Sequence, residues 1–162
     1  MIDFAAAAED ELAFRPDVFF LAPTRGRGVV RDRFGRLLDR CEITTEGRWD
    51  HNHGALRFDE VFDYESGRSE TLSWAFGPDA QGRLAATEAS VTSPVRGRAD
   101  GQDYCLTFKR RGAPPPLQKT EMVYEARFTL MEPDTALKSV KLKLFGITLG
   151  LMVAYHRRVI AA

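Results

Sequence analysis

The chain has 162 residues, 44% of them apolar and 28% charged, and its 23 Lys and Arg balance 23 Asp and Glu. That length suits one domain spanning 1–162 and is enough to bury a core. The balance excludes the overall basic character of a nucleic-acid binder, and no apolar run nears the ~20 residues of a membrane-spanning helix.

Residues 1–16 read as an N-terminal helical or extended segment, with a short helix over Ala5–Phe14, which is rich in helix formers. Glu9, Asp10 and Glu11 stop the alanine run and no basic stretch precedes it, so the opening does not read as a signal peptide or lipid-attachment site. The expectation is a cytoplasmic protein with Cys41 and Cys105 as reduced thiols, a disulfide between them being the lesser alternative.

Phe19–Asp32 reads as a first strand, broken by Pro23 and Gly26, and Arg33-Phe34-Gly35 as a turn. Arg36–Trp49 is a second strand with Leu37, Cys41, Ile43 and Trp49 on one face, followed by a turn over Asp50–Gly54. The clearest alternation comes next. Leu56, Phe58, Glu60, Phe62 and Tyr64 fall on one face of a third strand, while Arg57, Asp59, Asp63 and Glu65 fall on the other. A fourth strand with Trp74 and Phe76 follows a turn at Ser66-Gly67.

After a turn over Pro78–Gly82, Arg83–Thr92 is a fifth strand and Pro94–Gly101 a polar loop. Asp103–Arg110 is a sixth strand with Tyr104, Leu106 and Phe108 on one side, and proline-rich 111–118 connects to a seventh over Lys119–Glu132. There Met122, Tyr124, Ala126, Phe128 and Leu130 face inward. Ala136–Leu144 and Ile147–Val159 complete the set. The apolar run Leu144–Tyr155 is too short to span a membrane and reads as a buried strand bent at Gly146 or Gly150. Some eight or nine strands at even spacing, with a short N-terminal helix, predict an all-β fold: an antiparallel sandwich or an up-and-down barrel.

FFLAPTRGRGVVRDRFGR, through Phe19, Phe20, Gly28, Asp32, Arg33 and Gly35, resembles the opening of an uncharacterised bacterial lipocalin-like family, the domain of unknown function DUF3833. Trp49, Leu56, Glu60, Phe62, Tyr64, Gly67 and Trp74 resemble its next signature, and Phe145-Gly146-Ile147 a late one. The likeness covers residues 17–158. It implies a calycin-type, lipocalin-like barrel and brings no assigned activity. The chain departs from the family pattern at Leu72, where the family tends to have Arg.

Glu60 is the leading site candidate. A carboxylate on an apolar face loses hydration, so its pKa rises unless a cation compensates. It fits three roles: a structural pair, a ligand contact, or a general acid or base. Arg25, Arg27, Tyr64, Tyr104 and Tyr124 are its possible partners. Phe58, Phe62, Tyr64, Trp74, Phe76, Phe108, Tyr124 and Phe128 share inward parity, and either fill a solid core or line a cavity. Arg96, Arg98, Arg110 and Arg111 flank two loops that could draw an anionic head group to a barrel mouth. Asp50, His51 and His53 lack further zinc ligands nearby and read as a solvated turn.

The expected function is therefore binding of a hydrophobic or amphipathic small molecule, fatty-acid or lipid-like, with no metal or cofactor and no nucleic-acid partner. The ligand-binding set is Glu60, Phe58, Phe62, Tyr64, Trp74, Phe76, Tyr124 and Phe128. The rivals are an isomerase or hydratase using Glu60 for proton transfer, and a solid-core interaction protein.

Overall fold

The computed structural model describes residues 13–160. The helix expected over Ala5–Phe14 lies outside the described residues except for Ala13 and Phe14, which carry no helix. One short helix, α1 (Pro16–Phe19), opens the described chain. Ten strands follow: β1 (Thr24–Asp32), β2 (Leu37–Asp50), β3 (Ala55–Tyr64), β4 (Ser69–Pro78), β5 (Leu84–Glu88), β6 (Arg96–Asp100), β7 (Asp103–Arg110), β8 (Met122–Glu132), β9 (Thr135–Leu144) and β10 (Ile147–Arg158).

The sheet order is β5-β4-β3-β2-β1-β10-β9-β8-β7-β6, with every pair antiparallel. Sequential hairpins build the two arms, and the β1–β10 ladder joins them. Strands β5 and β6 lie side by side at the seam without a ladder of their own. The result is a nearly closed antiparallel barrel. Its inner face is the apolar half of each alternating strand; on β8 these are Met122, Tyr124, Ala126 and Phe128.

Five sequence expectations need correction. The strand count is ten, because β6 lies inside the segment expected as a loop over Pro94–Gly101. Its Arg-Gly-Arg-Ala-Asp has no alternation to read, since a strand at the seam can be exposed on both faces. The fifth strand stops at Glu88, short of Thr92, because that carboxylate accepts from the N–H groups of Ser73 and Ser90 and turns the chain. The first strand starts at Thr24, because Pro16 opens a helical turn that carries Phe19 into the core. The run Leu144–Tyr155 is divided by a hairpin turn at Phe145-Gly146, with a register shift between Thr148 and Gly150. Trp49 stands near the end of β2 and remains 45% exposed, although it shares parity with buried Ile43.

One barrel end is closed by a plug. Phe14, Phe19 and Phe20 are buried there; Phe20 stacks on Phe58 at 4.4 Å and Phe14 on Phe128 at 4.9 Å. Gly47 makes room for it, since a Cβ at that position would meet the backbone carbonyl oxygen of Phe20. The opposite end carries the 33–36, 65–68, 111–121 and 145–146 connections and is the mouth. Cys41 and Cys105 are free thiols on β2 and β7. Among the described residues no helix is long and apolar enough to cross a membrane.

Candidate functional site

The barrel interior is apolar with a polar chain through its middle. On β9, Ala136, Lys138, Val140 and Leu142 share the inner face; on β10, Met152, Ala154 and His156 do. Strand β3 brings Leu56, Phe58, Glu60, Phe62 and Tyr64, all buried. Three strands separate β3 from β9 in the sheet. Barrel closure nevertheless brings Lys138 to Glu60, and its Nζ donates to both carboxylate oxygens at 2.8 Å. The ammonium also lies 5.2 Å from the Phe62 ring centre and 5.3 Å from that of Phe128.

His156 continues the chain. Its Nε2 stands 3.1 Å from Glu60 Oε2, at an angle that falls short of a hydrogen bond, and has no hydrogen-bond partner among the described residues. Its Nδ1 lies 3.1 Å from Thr24 Oγ1, which in turn lies 2.7 Å from Thr45 Oγ1. All these side chains are buried, so strands β9, β3, β10, β1 and β2 meet along one buried polar path.

Charge in this path follows from position. Burial pushes the Glu60 carboxyl up, but Lys138 and then His156 outweigh burial and hold it below the usual carboxylate range. Burial pushes the His156 imidazole down, Glu60 restores only part of that, and Lys138 adds to the depression. A neutral ring has one proton. It belongs on Nε2 beside the carboxylate, which leaves Nδ1 to accept from Thr24.

These partners differ from the expected ones. Arg25 and Arg27 face outward on β1, and neither they nor Tyr64, Tyr104 or Tyr124 pairs with Glu60. Leu72 is the register partner of Glu60 on β4, and the compensating cation comes from β9 instead. Parity marks both partners as inward, though not as partners: Lys138 and His156 alternate with apolar residues just as Glu60 does.

On the mouth side of the ion pair lies a cavity of about 50 Å³. Phe62, Tyr64, Trp74, Tyr124 and Phe128 line it, together with Phe108 and Lys138. Phe58 and Phe76 stack on each other at 5.7 Å on the plug side, outside the lining, and Glu60 stands behind Lys138. The cavity holds a few small atoms and is well short of the ~300–1,000 Å³ of a drug-sized pocket.

Two arginines stand at the mouth. Arg110 is 6% exposed, is ion-paired with Glu70 and donates from Nε to Ser90 Oγ at 3.2 Å. Arg68 reaches the same carboxylate at 3.7 Å and lies 4.1 Å over the Tyr64 ring. Two guanidiniums therefore meet on the Glu70 carboxylate beside the buried phenols of Tyr64 and Tyr124, and a second buried carboxylate, Glu88, is joined to Arg110 through Ser90 Oγ. Burial raises the pKa of both phenols, so both stay protonated donors. Of the four arginines expected around a mouth, only Arg110 lines the cavity; Arg96, Arg98 and Arg111 point elsewhere, and Arg68 was not anticipated. Parity with Leu106 and Phe108 marks Arg110 as inward, whereas Arg68 sits in a turn where no periodicity applies.

The Asp50 turn is internally satisfied. Asp50 Oδ2 lies 2.8 Å from His53 Nδ1 and accepts from Arg57 Nε at 2.7 Å. Among the described residues no group of three or more His, Cys, Asp or Glu is placed to hold a metal ion.

Comparison with known proteins gives a fold and a family. A family model described as a protein of unknown function, DUF3833, matches residues 2–158. No match is found among the curated proteins. A solved structure from Nostoc punctiforme, a protein with unknown function from the DUF3598 family, is similar at a TM-score of 0.65 and 15% identity. The match covers 91% of this chain and 50% of that one, so the chain spans about half the length of the Nostoc protein. An S-type phycobiliprotein lyase from Guillardia theta is similar at a TM-score of 0.61 and 9% identity, over 89% of this chain and 90% of that one. At such identities the likeness is one of fold.

Proposed function

The chain belongs to the DUF3833 family, and from that premise we propose that it is a calycin-type, lipocalin-like barrel that binds an amphipathic small molecule of fatty-acid or lipid type. The anionic group of the ligand meets Arg68 and Arg110 at the mouth, and its apolar part enters between Phe62, Tyr64, Trp74, Tyr124 and Phe128. Phe58 and Phe76 back that wall from the plug side, and Glu60 acts through Lys138, whose ammonium it holds at the cavity floor. The observation that carries this reading is the meeting of two guanidiniums, Arg68 and Arg110, on the Glu70 carboxylate at the entrance of an apolar cavity, where their N–H groups face an incoming anion.

The small cavity adds a condition. Burial of an acyl chain requires the aromatic wall to part, so loading and opening are one event. The enzyme alternative draws less support. A carboxylate held ionised by Lys138 has a pKa far from neutral, which gives proton transfer little driving force.

The test is calorimetric titration with decanoic acid and with decanol, after native mass spectrometry and solvent extraction of the purified protein. Decanoate binding that weakens about tenfold or more in Arg110→Gln and in Arg68→Gln fits loss of a charge-assisted hydrogen bond. Equal binding of acid and alcohol removes the mouth from the argument. No adduct and no binding of either compound removes the carrier reading.

A further inference from the structure

Two aromatic rings project from the mouth end almost wholly exposed, Phe34 meeting the Arg33 guanidinium 5.0 Å from its ring centre. Phe145 is 93% exposed and Phe34 is 82% exposed. Phe145 is also the one described non-glycine residue with positive φ, at 50°, and Gly146 follows it at 76°. Two successive positive φ values make the tight hairpin turn in which Asn-Gly is the favoured pair. A bulky side chain there is strained, and its exposed ring gains no packing in return. The strain and the exposed area have no compensation within the molecule, which points to a contact outside it.

Phe34 is presented in a comparable way. Asp32 Oδ1 accepts from the N–H groups of Phe34 and Arg36 at 2.9 Å, and Arg31 Nη1 donates to the Gly35 carbonyl at 3.0 Å. The turn is thus tied down while its ring stays 82% exposed, beside the Arg33 guanidinium. The two hairpins are neighbours, because β1 pairs with β10 up to Asp32 opposite Gly150. Leu38 and Ile147, each 52% exposed, flank them.

The charge around the rings is positive although the whole chain is neutral. Residues 31–36 hold Arg31, Arg33 and Arg36 against Asp32 alone. Residues 141–147 hold Lys141 and Lys143 with no acid, and the neighbouring connection adds Arg111 and Lys119 against Glu121. Among the described residues, only Lys143 of these cations is engaged by an acid of another element, Glu125 at 3.0 Å.

We propose that this end docks on a lipid bilayer bearing anionic headgroups. Phe34 and Phe145 enter the interfacial region, and the arginines and lysines around them meet the phosphates. Membrane-surface binding combines apolar insertion with attraction to anionic lipids in this way. A protein interface is the poorer fit, because it needs a contiguous patch of about 800 Å² on each partner, whereas these rings are separate points set among flexible cations. Docked so, the barrel mouth faces the bilayer. The proposal does not depend on what the cavity holds.

The test is co-sedimentation with vesicles of phosphatidylcholine alone and of phosphatidylcholine with phosphatidylglycerol, without added ligand. Binding to the mixed vesicles is expected, weakening as salt is raised. The Phe34→Ser/Phe145→Gly pair is expected to reduce it at least about tenfold. Phe145→Gly suits the left-handed backbone, so the loss is not one of folding. A Phe145→Trp variant is expected to shift its emission to the blue on the mixed vesicles alone. Absence of binding to the mixed vesicles overturns the proposal, as it would if the surface served a protein partner. Binding by the double variant equal to the parent's also overturns it. Ligand titration reads the cavity separately, so the two readings fail independently.

Discussion

Lys138 Nζ stands 2.8 Å from each carboxylate oxygen of Glu60, joining side chains 78 residues apart inside the barrel. A buried pair gives little net stability over apolar residues of like volume, yet losing one partner strands the other charge. Lys138→Met is therefore expected to lower the unfolding free energy in urea by about 3–5 kcal/mol. Glu60→Leu/Lys138→Met should recover most of that loss, and a double variant no more stable than the single one would show that the two charges are not coupled.

Acid should unfold the protein in two stages. The native His156 pKa lies below its ordinary 6.5, so below about that pH the unfolded chain takes up a proton that the native state refuses, and stability falls. Glu60 adds a second loss, because its native pKa lies below the ordinary 4.5; this begins as pH drops past that value and continues toward the depressed native pKa. Urea midpoints measured across this range should show both stages. His156→Gln should flatten the upper one and leave the lower, and an unchanged profile in that variant would assign the upper stage to another group.

Gly47→Ala should disturb the plug, because its Cβ would meet the Phe20 carbonyl oxygen, a backbone atom that cannot swing aside. Overpacking of this kind costs about 1–3 kcal/mol, or a fall in Tm of roughly 3–10 °C. Near-ultraviolet circular dichroism should lose aromatic signal at the same time. A Tm equal to the parent's would mean that the helical turn does not seat against β2.

The two thiols should react very differently. Burial pushes the Cys41 thiol up to about 11, whereas Cys105 is only half-buried on β7. A disulfide-exchange reagent on the native protein should label one thiol promptly and the second only in denaturant. Prompt labelling of both would mean that the barrel opens at β2 far more often than its packing implies.

Much of this was legible in the chain because strand alternation is a local property. The pattern in Leu56–Tyr64 places Glu60 inside whatever the rest of the chain does, and the same rule assigns Phe62, Trp74, Tyr124 and Phe128 to the interior. Turn residues set the hairpins equally well, and only β6, which has no alternation, escaped. The pairing of inward groups was not legible. Lys138 and His156 carry the same parity signal as Glu60, but parity says only that a side chain points inward, and which inward groups meet depends on strand order and closure.

The sequence by itself therefore determined an antiparallel all-β chain with an aromatic inner face and an ionisable group upon it, since these follow from residues a few positions apart. Tertiary structure decided that Lys138 neutralises Glu60, that Phe14 and Phe20 plug one end, and that Arg68 and Arg110 share Glu70 at the other. Apart from Arg68 and Glu70, which are near neighbours in the chain, those contacts join strands or turns that are distant in sequence. Only the closing of the sheet through β1 and β10 brings them within reach.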